Sequence, residues 1–277
     1  LAAMTILFVH EAARLDDAIR SRRWNPERTR SEAAMRLFGT EFNMGRRLVP
    51  DRRHRAVGRA LLVEAIATSG LVNAQIHNPN AQLRYHGMRG VAYLLLARGE
   101  FSPSRLALLE AASADLAESR RFGDRSAQHS EYAIEVLLRR NQIEPSVALL
   151  NEADVLLKEV GFTSRRLAYN AGDLYLSRGI QAMTEGQYED ALAQYRHAVN
   201  AYSSGLQIVG RHLDMEDGQI RAKRGYARLR AYYAASQLAI DTFPEELDGI
   251  ITDLECSEAD AFSGLSPLPE ALLWRAK

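Results

Sequence analysis

The strongest constraint on what this chain can fold into is a repeat. The stretch GEFSPSRLALLEAA, residues 99–112, returns as NQIEPSVALLNEAD, residues 141–154. Phe101 falls on Ile143, Pro103 on Pro145, Ser104 on Ser146, Leu108 on Leu150, Glu110 on Glu152 and Ala111 on Ala153, an offset of 42 residues. GQYEDALAQYRHAV, residues 186–199, follows 45 residues after the second copy, with Gly186 on Gly99, Tyr188 on Phe101 and Ile143, Tyr195 on the two leucines and Ala198 on the two alanines. Self-similarity at such a period marks one supersecondary unit reused, and a unit that cannot bury its apolar face alone must stack on its neighbours. Each copy reads as a helix, a tight turn and a second helix. Ala191, Tyr195 and Ala198 stand four and three apart, so they share one helical face. The alanines let a partner helix approach, and the tyrosine fills the gap that remains.

The rest of the chain is helical in pattern as well. Sustained two-residue alternation and Asn-Gly or Asp-Gly hairpin turns are missing. TILFVH is the one short run with strand character, and its alanine-rich, acidic continuation makes it a helix start. In RLALLEAASADLAES the apolar residues Leu106, Leu109, Ala112 (or Ala111) and Leu116 recur at three and four, with charges opposite. Pro26, Pro103, Pro145 and Pro244 each precede a helical run, where a missing N–H costs nothing. The pattern predicts helices near 4–22, 26–48, 51–76, 80–98, 103–120, 125–140, 145–160, 164–185, 187–209, 215–241, 244–256 and 268–276. Short connections make successive helices antiparallel. No long Gly/Ser or Pro-rich linker divides the chain, so residues 1–277 are expected to form a single helical-repeat domain.

From Gly172 to about Ser203 the sequence resembles a tetratricopeptide repeat (TPR). Gly179, Ala182, Gly186, Tyr188, Ala191, Tyr195 and Ala198 stand at that family's signature spacings, and Tyr175 takes the place usually given to tryptophan. Arg178 departs from the pattern, where leucine is usual, as does the missing proline around Ser203. The clearest copies are 81–120, 123–161 and 164–209, with 1–79 and 211–277 as atypical or capping helices. Periods of 42 and 45 exceed the usual 34 and are similar to the extended repeats in the sensor regions of MalT-like bacterial transcription activators. The resemblance implies an all-α fold of antiparallel helix-turn-helix repeats stacked in a right-handed superhelical solenoid. It also implies a concave groove lined by the first helix of each pair. Outward positions there would be His86, Arg89 and Tyr93 in one copy, Gln128, Glu131 and Glu135 in the next, and Asp173, Leu176, Ile180 and Met183 in the third. This set lacks the Lys/Asn group with which some TPR proteins clamp a C-terminal carboxylate, so no chaperone-tail adaptor is expected.

Catalytic signatures are missing. Neither phosphate-loop pattern occurs, nor does the G-x-S-x-G elbow, and HEAAR at His10 fails the zinc motif because its last position is Arg14. DMEDG at 214–218 lacks the spacing of a calcium loop. The seven histidines are scattered, and the single Cys256 rules out an intrachain disulfide. No metal, cofactor or catalytic residue is therefore assigned. Lys and Arg total 35 against 35 Asp and Glu, so no net basic field concentrates nucleic acid. Arginine clusters at 20–30, 45–55 and 221–230 keep an alternative open, a nucleic-acid-associated regulator using its N-terminal helices, with Trp24 as a stacking residue. An enzyme on an α/α scaffold is the third and least favoured reading. No apolar run approaches the roughly 20 residues of a membrane span, and a cytoplasmic home is expected. The leading expectation is a non-enzymatic scaffold that binds a protein or peptide, as the sensory or interaction part of a bacterial regulator. Self-association through open repeat ends, with Leu272 and Trp274 as a cap or contact, is a further expectation.

Overall fold

The computed structural model describes residues 26–51, 53–70, 79–98, 104–208, 217–240 and 244–258. Regular structure among the described residues is helical throughout, in ten helices with no strand. They are α1 Pro26–Leu48, α2 Arg55–Ser69, α3 Pro79–Ala97, α4 Ser104–Arg121, α5 Ala127–Ile143, α6 Val147–Val160, α7 Arg165–Thr184, α8 Tyr188–Gln207, α9 Asp217–Gln237 and α10 Pro244–Glu258. The helices expected near 4–22 and 268–276, the turn at 99–103, Trp24, Leu272 and Trp274 lie outside the described residues. No described helix is long and apolar enough to cross a membrane.

Local chemistry accounts for many of the boundaries. Pro26, Pro79 and Pro244 open their helices. Pro145 does not. It precedes Ser146, whose extended backbone (φ −150°, ψ 122°) ends the turn before Val147. Ser164 caps α7 by accepting a hydrogen bond from the Leu167 N–H at 3.1 Å. At the far end of α7, Gly186 takes φ +75°, the Gln187 N–H reaches the Ala182 carbonyl at 2.8 Å and the Gly186 N–H reaches Met183 at 3.2 Å. This is a Schellman stop, and it needs a residue that tolerates the left-handed region. The same pair of bonds ends α4 at Gly123 and α9 at Ala239.

The chain forms two units, Leu1–Val136 and Leu137–Lys277, the division falling inside α5. In the first, α1 packs on α2 and α3 on α4, with α3 also against α1 and α2. Phe38, Phe42, Leu62, Tyr85, Leu94 and Leu109 form its core. In the second, α6 packs on α7, α7 on α8, α8 on α9 and α9 on α10, and α9 also touches α7.

Pairing is antiparallel, as the short connections predict. A Cβ added to Gly172 would overlap the Tyr202 ring, and one at Gly179 would lie 2.5 Å from Tyr195, so rising numbers on α7 meet falling numbers on α8. Those two glycines give the tyrosines room to enter. Ala191, Tyr195 and Ala198 are buried to 1% or less on one stripe of α8, as the repeat predicts, and Tyr202 continues it. Leu150, Ala153 and Leu157 repeat that stripe on α6 at an offset of 45. On α4 the buried apolar residues are Leu109, Ala112 and Leu116, as the three-and-four spacing predicts and one position later than the repeat match of Leu108 and Ala111.

Candidate binding face

Three carboxylates between helices share one arrangement. A carboxylate on the buried stripe of one helix is held by two donors, most of them from the neighbouring helix. On α4, Asp115 takes a bidentate bond from Arg89 of α3 at 2.6 Å twice, and a contact from His86 Nδ1 at 2.9 Å. On α10, Asp253 takes Arg224 of α9 at 2.8 and 2.5 Å and Arg228 at 2.8 Å. The local cause is shared. Arg89–Gly90 faces Asp115–Leu116, and Arg224–Gly225 faces Asp253–Leu254. The glycine lets the leucine close in, which brings the preceding carboxylate to the preceding arginine. Asp154 on α6 is held by Lys158 at 3.0 Å and by Arg178 of α7 at 3.1 Å. Those two cations hold its carboxyl below the usual range although burial pushes it up.

These ion pairs redraw the expected groove. His86 and Arg89 do not stand free. Both are spent on Asp115, with the His86 ring stacked on Phe122 and Arg89 lying over Tyr85. Tyr93 packs against the first unit's core. Glu135 is buried and receives a bidentate bond from Arg98 at 2.8 and 2.6 Å. Gln128 is exposed and Glu131 half-buried. In the second unit Leu176 is 5% exposed and belongs to the core, which corrects its assignment to an outward position. Ile180 is 41% exposed, and Met183 is half-buried against the same core.

A second histidine near this first-unit cluster carries a pH dependence. His129 on α5 is buried, with Nδ1 3.3 Å from Asp124. Burial pushes its imidazole below the ordinary value, against the pull of Asp124 and with the push of Arg120. The folded chain therefore resists a proton that the unfolded chain accepts below about pH 6.5. No penalty exists at higher pH, where both states are neutral, and it grows as pH falls. His129→Gln is expected to flatten the decline in unfolding free energy between about pH 7.5 and 5 relative to the parent, read by urea denaturation at each pH. Parallel curves would refute this.

The remaining expected residue, Asp173, anchors the most developed polar cluster of the second unit. Its Oδ1 accepts from the Tyr202 hydroxyl at 2.6 Å and from Lys223 Nζ of α9 at 3.1 Å. Tyr169 meets the Tyr202 ring edge-on at 5.8 Å. Asp173 raises the Lys223 ammonium above its usual range, and burial raises the Tyr202 hydroxyl well above its own. Along α9, Lys223, Tyr226, Arg230 and Tyr233 stand three, four and three apart and share a stripe. The Arg230 guanidinium lies 5.0 Å over the Tyr226 ring and donates to its hydroxyl at 2.9 Å. Ile180, seven residues after Asp173, continues the α7 side. The face thus carries the Asp173–Lys223 pair, the Arg230–Tyr226 pair and an exposed isoleucine on α7.

Sequence reasoning missed Lys223, Tyr226 and Arg230 as members of this face. The signal was RAKRGYARLR, which reads as a basic cluster until Asp173 is placed beside it. Two other arginines of that cluster, Arg224 and Arg228, are absorbed by Asp253. In the 45–55 cluster Arg47, Arg53 and Arg55 are exposed at the α1–α2 turn, where Asp51 accepts from His54. No group of three His, Cys, Asp or Glu among the described residues could hold a metal ion. No family model matches the chain, and no curated protein sequence matches it.

Proposed function

We infer that the chain is a non-enzymatic helical-repeat scaffold that binds a protein or peptide segment along the α7/α9 face. The observation that carries this reading is contact between first helices of successive hairpins, α1 with α3 and α7 with α9, which is the arrangement a TPR-like solenoid uses to line a groove. The mixed lining supports it too. Cation, tyrosine and exposed isoleucine suit a segment carrying both acidic and apolar side chains, and aromatic and arginine side chains dominate the energetics of such contacts. A right-handed superhelix and a place in a bacterial regulator complete the reading, as the sequence resemblance implies.

The test is a peptide selected from a random display library on the full chain, followed by calorimetry. Ile180→Glu, at an exposed position, leaves the helical circular dichroism unchanged and weakens the selected peptide at least tenfold, about 1.4 kcal/mol. Equal affinity for parent and variant would move the binding face away from α7 and α9.

A further inference from the structure

The outward side of α8 carries a surface that none of the groove residues explains. Glu189, Ala193 and Arg196 are exposed there, and Leu192 lies beneath them at 6%. Together with Leu238 and Ile240, just after α9, they line a cavity of about 260 Å³ open to solvent. Ile240 is 44% exposed, a large apolar side chain at the rim. It follows Ala239, which holds φ +51° at the Schellman stop of α9. Non-glycine residues seldom take that region, because Cβ crowds the following carbonyl. The turn that sets Leu238 and Ile240 beside α8 is thus kept against a local preference.

The pattern along α8 is symmetric under reversal. Glu189, Leu192, Ala193 and Arg196 stand at positions i, i+3, i+4 and i+7, on one face. A two-fold axis between two antiparallel copies of the helix, level with the Leu192–Ala193 step, sets Glu189 of one copy opposite Arg196 of the other, and Leu192 opposite Ala193. Each charge then meets its opposite, twice, and the small central alanines let the helix axes approach to about 8–10 Å. A closed two-fold contact requires this kind of self-complementarity, since each patch must be its own partner. A foreign helix would have to match both charges and the apolar centre, whereas a second copy does so by construction. We propose that this α8 face, with its Leu192–Leu238–Ile240 cavity, is a homodimer interface in which α8 packs antiparallel on α8 of a second copy.

Charge exchange tests it without disturbing the core, because both charged residues are exposed. Sedimentation equilibrium of the full chain up to about 0.3 mM should show mass rising from 30.9 kDa toward twice that value. Glu189→Arg alone, and Arg196→Glu alone, place like charges opposite at both ends and raise the dimer dissociation constant at least tenfold. Mixing the two variants restores opposite charges at both ends, so the mixture should associate about as tightly as the parent. A parent that stays monomeric, single variants that dimerise like the parent, or a mixture no tighter than either variant would each overturn the proposal. Dimers that survive both substitutions belong to another face, and a monomeric parent leaves the cavity to a different partner.

Discussion

Replacing Tyr202 with alanine lowers the unfolding free energy by about 4 kcal/mol, the middle of the range for deleting a buried aromatic ring. Tyr202 is fully buried, its ring fills the notch over Gly172, and its hydroxyl donates to Asp173. Tyr202→Phe keeps the ring and loses only a bond to a charged acceptor, at about 1.5–2 kcal/mol. The notch gives a sharper test. In the parent, Gly172→Ala forces a methyl into the ring, and overpacking of this kind costs about 1–3 kcal/mol. In the Tyr202→Ala background the notch is empty, and the same change gains helix propensity, up to about 1 kcal/mol. Chemical denaturation of the four chains should show Gly172→Ala changing sign between backgrounds. One sign in both would mean the glycine is there for a reason other than the tyrosine.

Asp253→Asn should cost about 3 kcal/mol, because it leaves two arginines facing each other with no countercharge in a partly desolvated site. The Asp253 side chain is 3% exposed, against 15% for Arg224 and 34% for Arg228. Burial already lowers the Arg228 guanidinium from its ordinary value, and Asp253 opposes that shift. Replacing Arg228 with glutamine is then cheaper than replacing Arg224, which makes both arms of the bidentate bond. Glu118→Ala supplies the contrast. Its pair with Arg121 lies one turn apart on α4 with the arginine 78% exposed, and its loss should fall within about 0.5 kcal/mol. Thermal unfolding of the variants at fixed pH ranks them. Equal effects at Asp253 and Glu118 would show that the clamp adds nothing to stability.

Helix positions were legible because the punctuation is local. α1 runs over Pro26–Leu48 as predicted, opened by one proline and stopped before another at Pro50. The gaps predicted after residues 120 and 160 hold Gly123 and Gly161, which both take positive φ. The one-residue slip on α4 has a plain cause. Leu108 and Leu109 are adjacent, as are Ala111 and Ala112, so identity matching accepts either frame while burial accepts one. The candidate face was harder to read. The repeat alignment places Leu176 outward, and periodicity does not correct it, because α7 is packed between α6, α8 and α9 and has apolar residues on several sides. Arg89, Glu135 and Asp173 stand at outward positions of the repeat alignment, and charge there ordinarily faces water. Their partners stand 26, 37 and 29 residues away in sequence for Asp115, Arg98 and Tyr202, a pairing that only tertiary geometry reveals.

The carboxylate clamps also decide where such a gene tolerates being cut and copied. Asp115 is served entirely from within its own hairpin, by His86 and Arg89. A duplicated α3/α4 segment therefore arrives with that charge already neutralised and with one orphan, Arg98, whose carboxylate Glu135 lies on α5. Asp154 reaches forward to Arg178, and Asp173 reaches forward to Lys223. A duplicated α7/α8 segment arrives with Arg178 lacking its carboxylate and Asp173 lacking its ammonium, and each needs a compensating substitution before the copy can be retained. Tandem expansion of this lineage should accordingly start from the α3/α4 hairpin, with breakpoints ahead of α7 and α9 selected against.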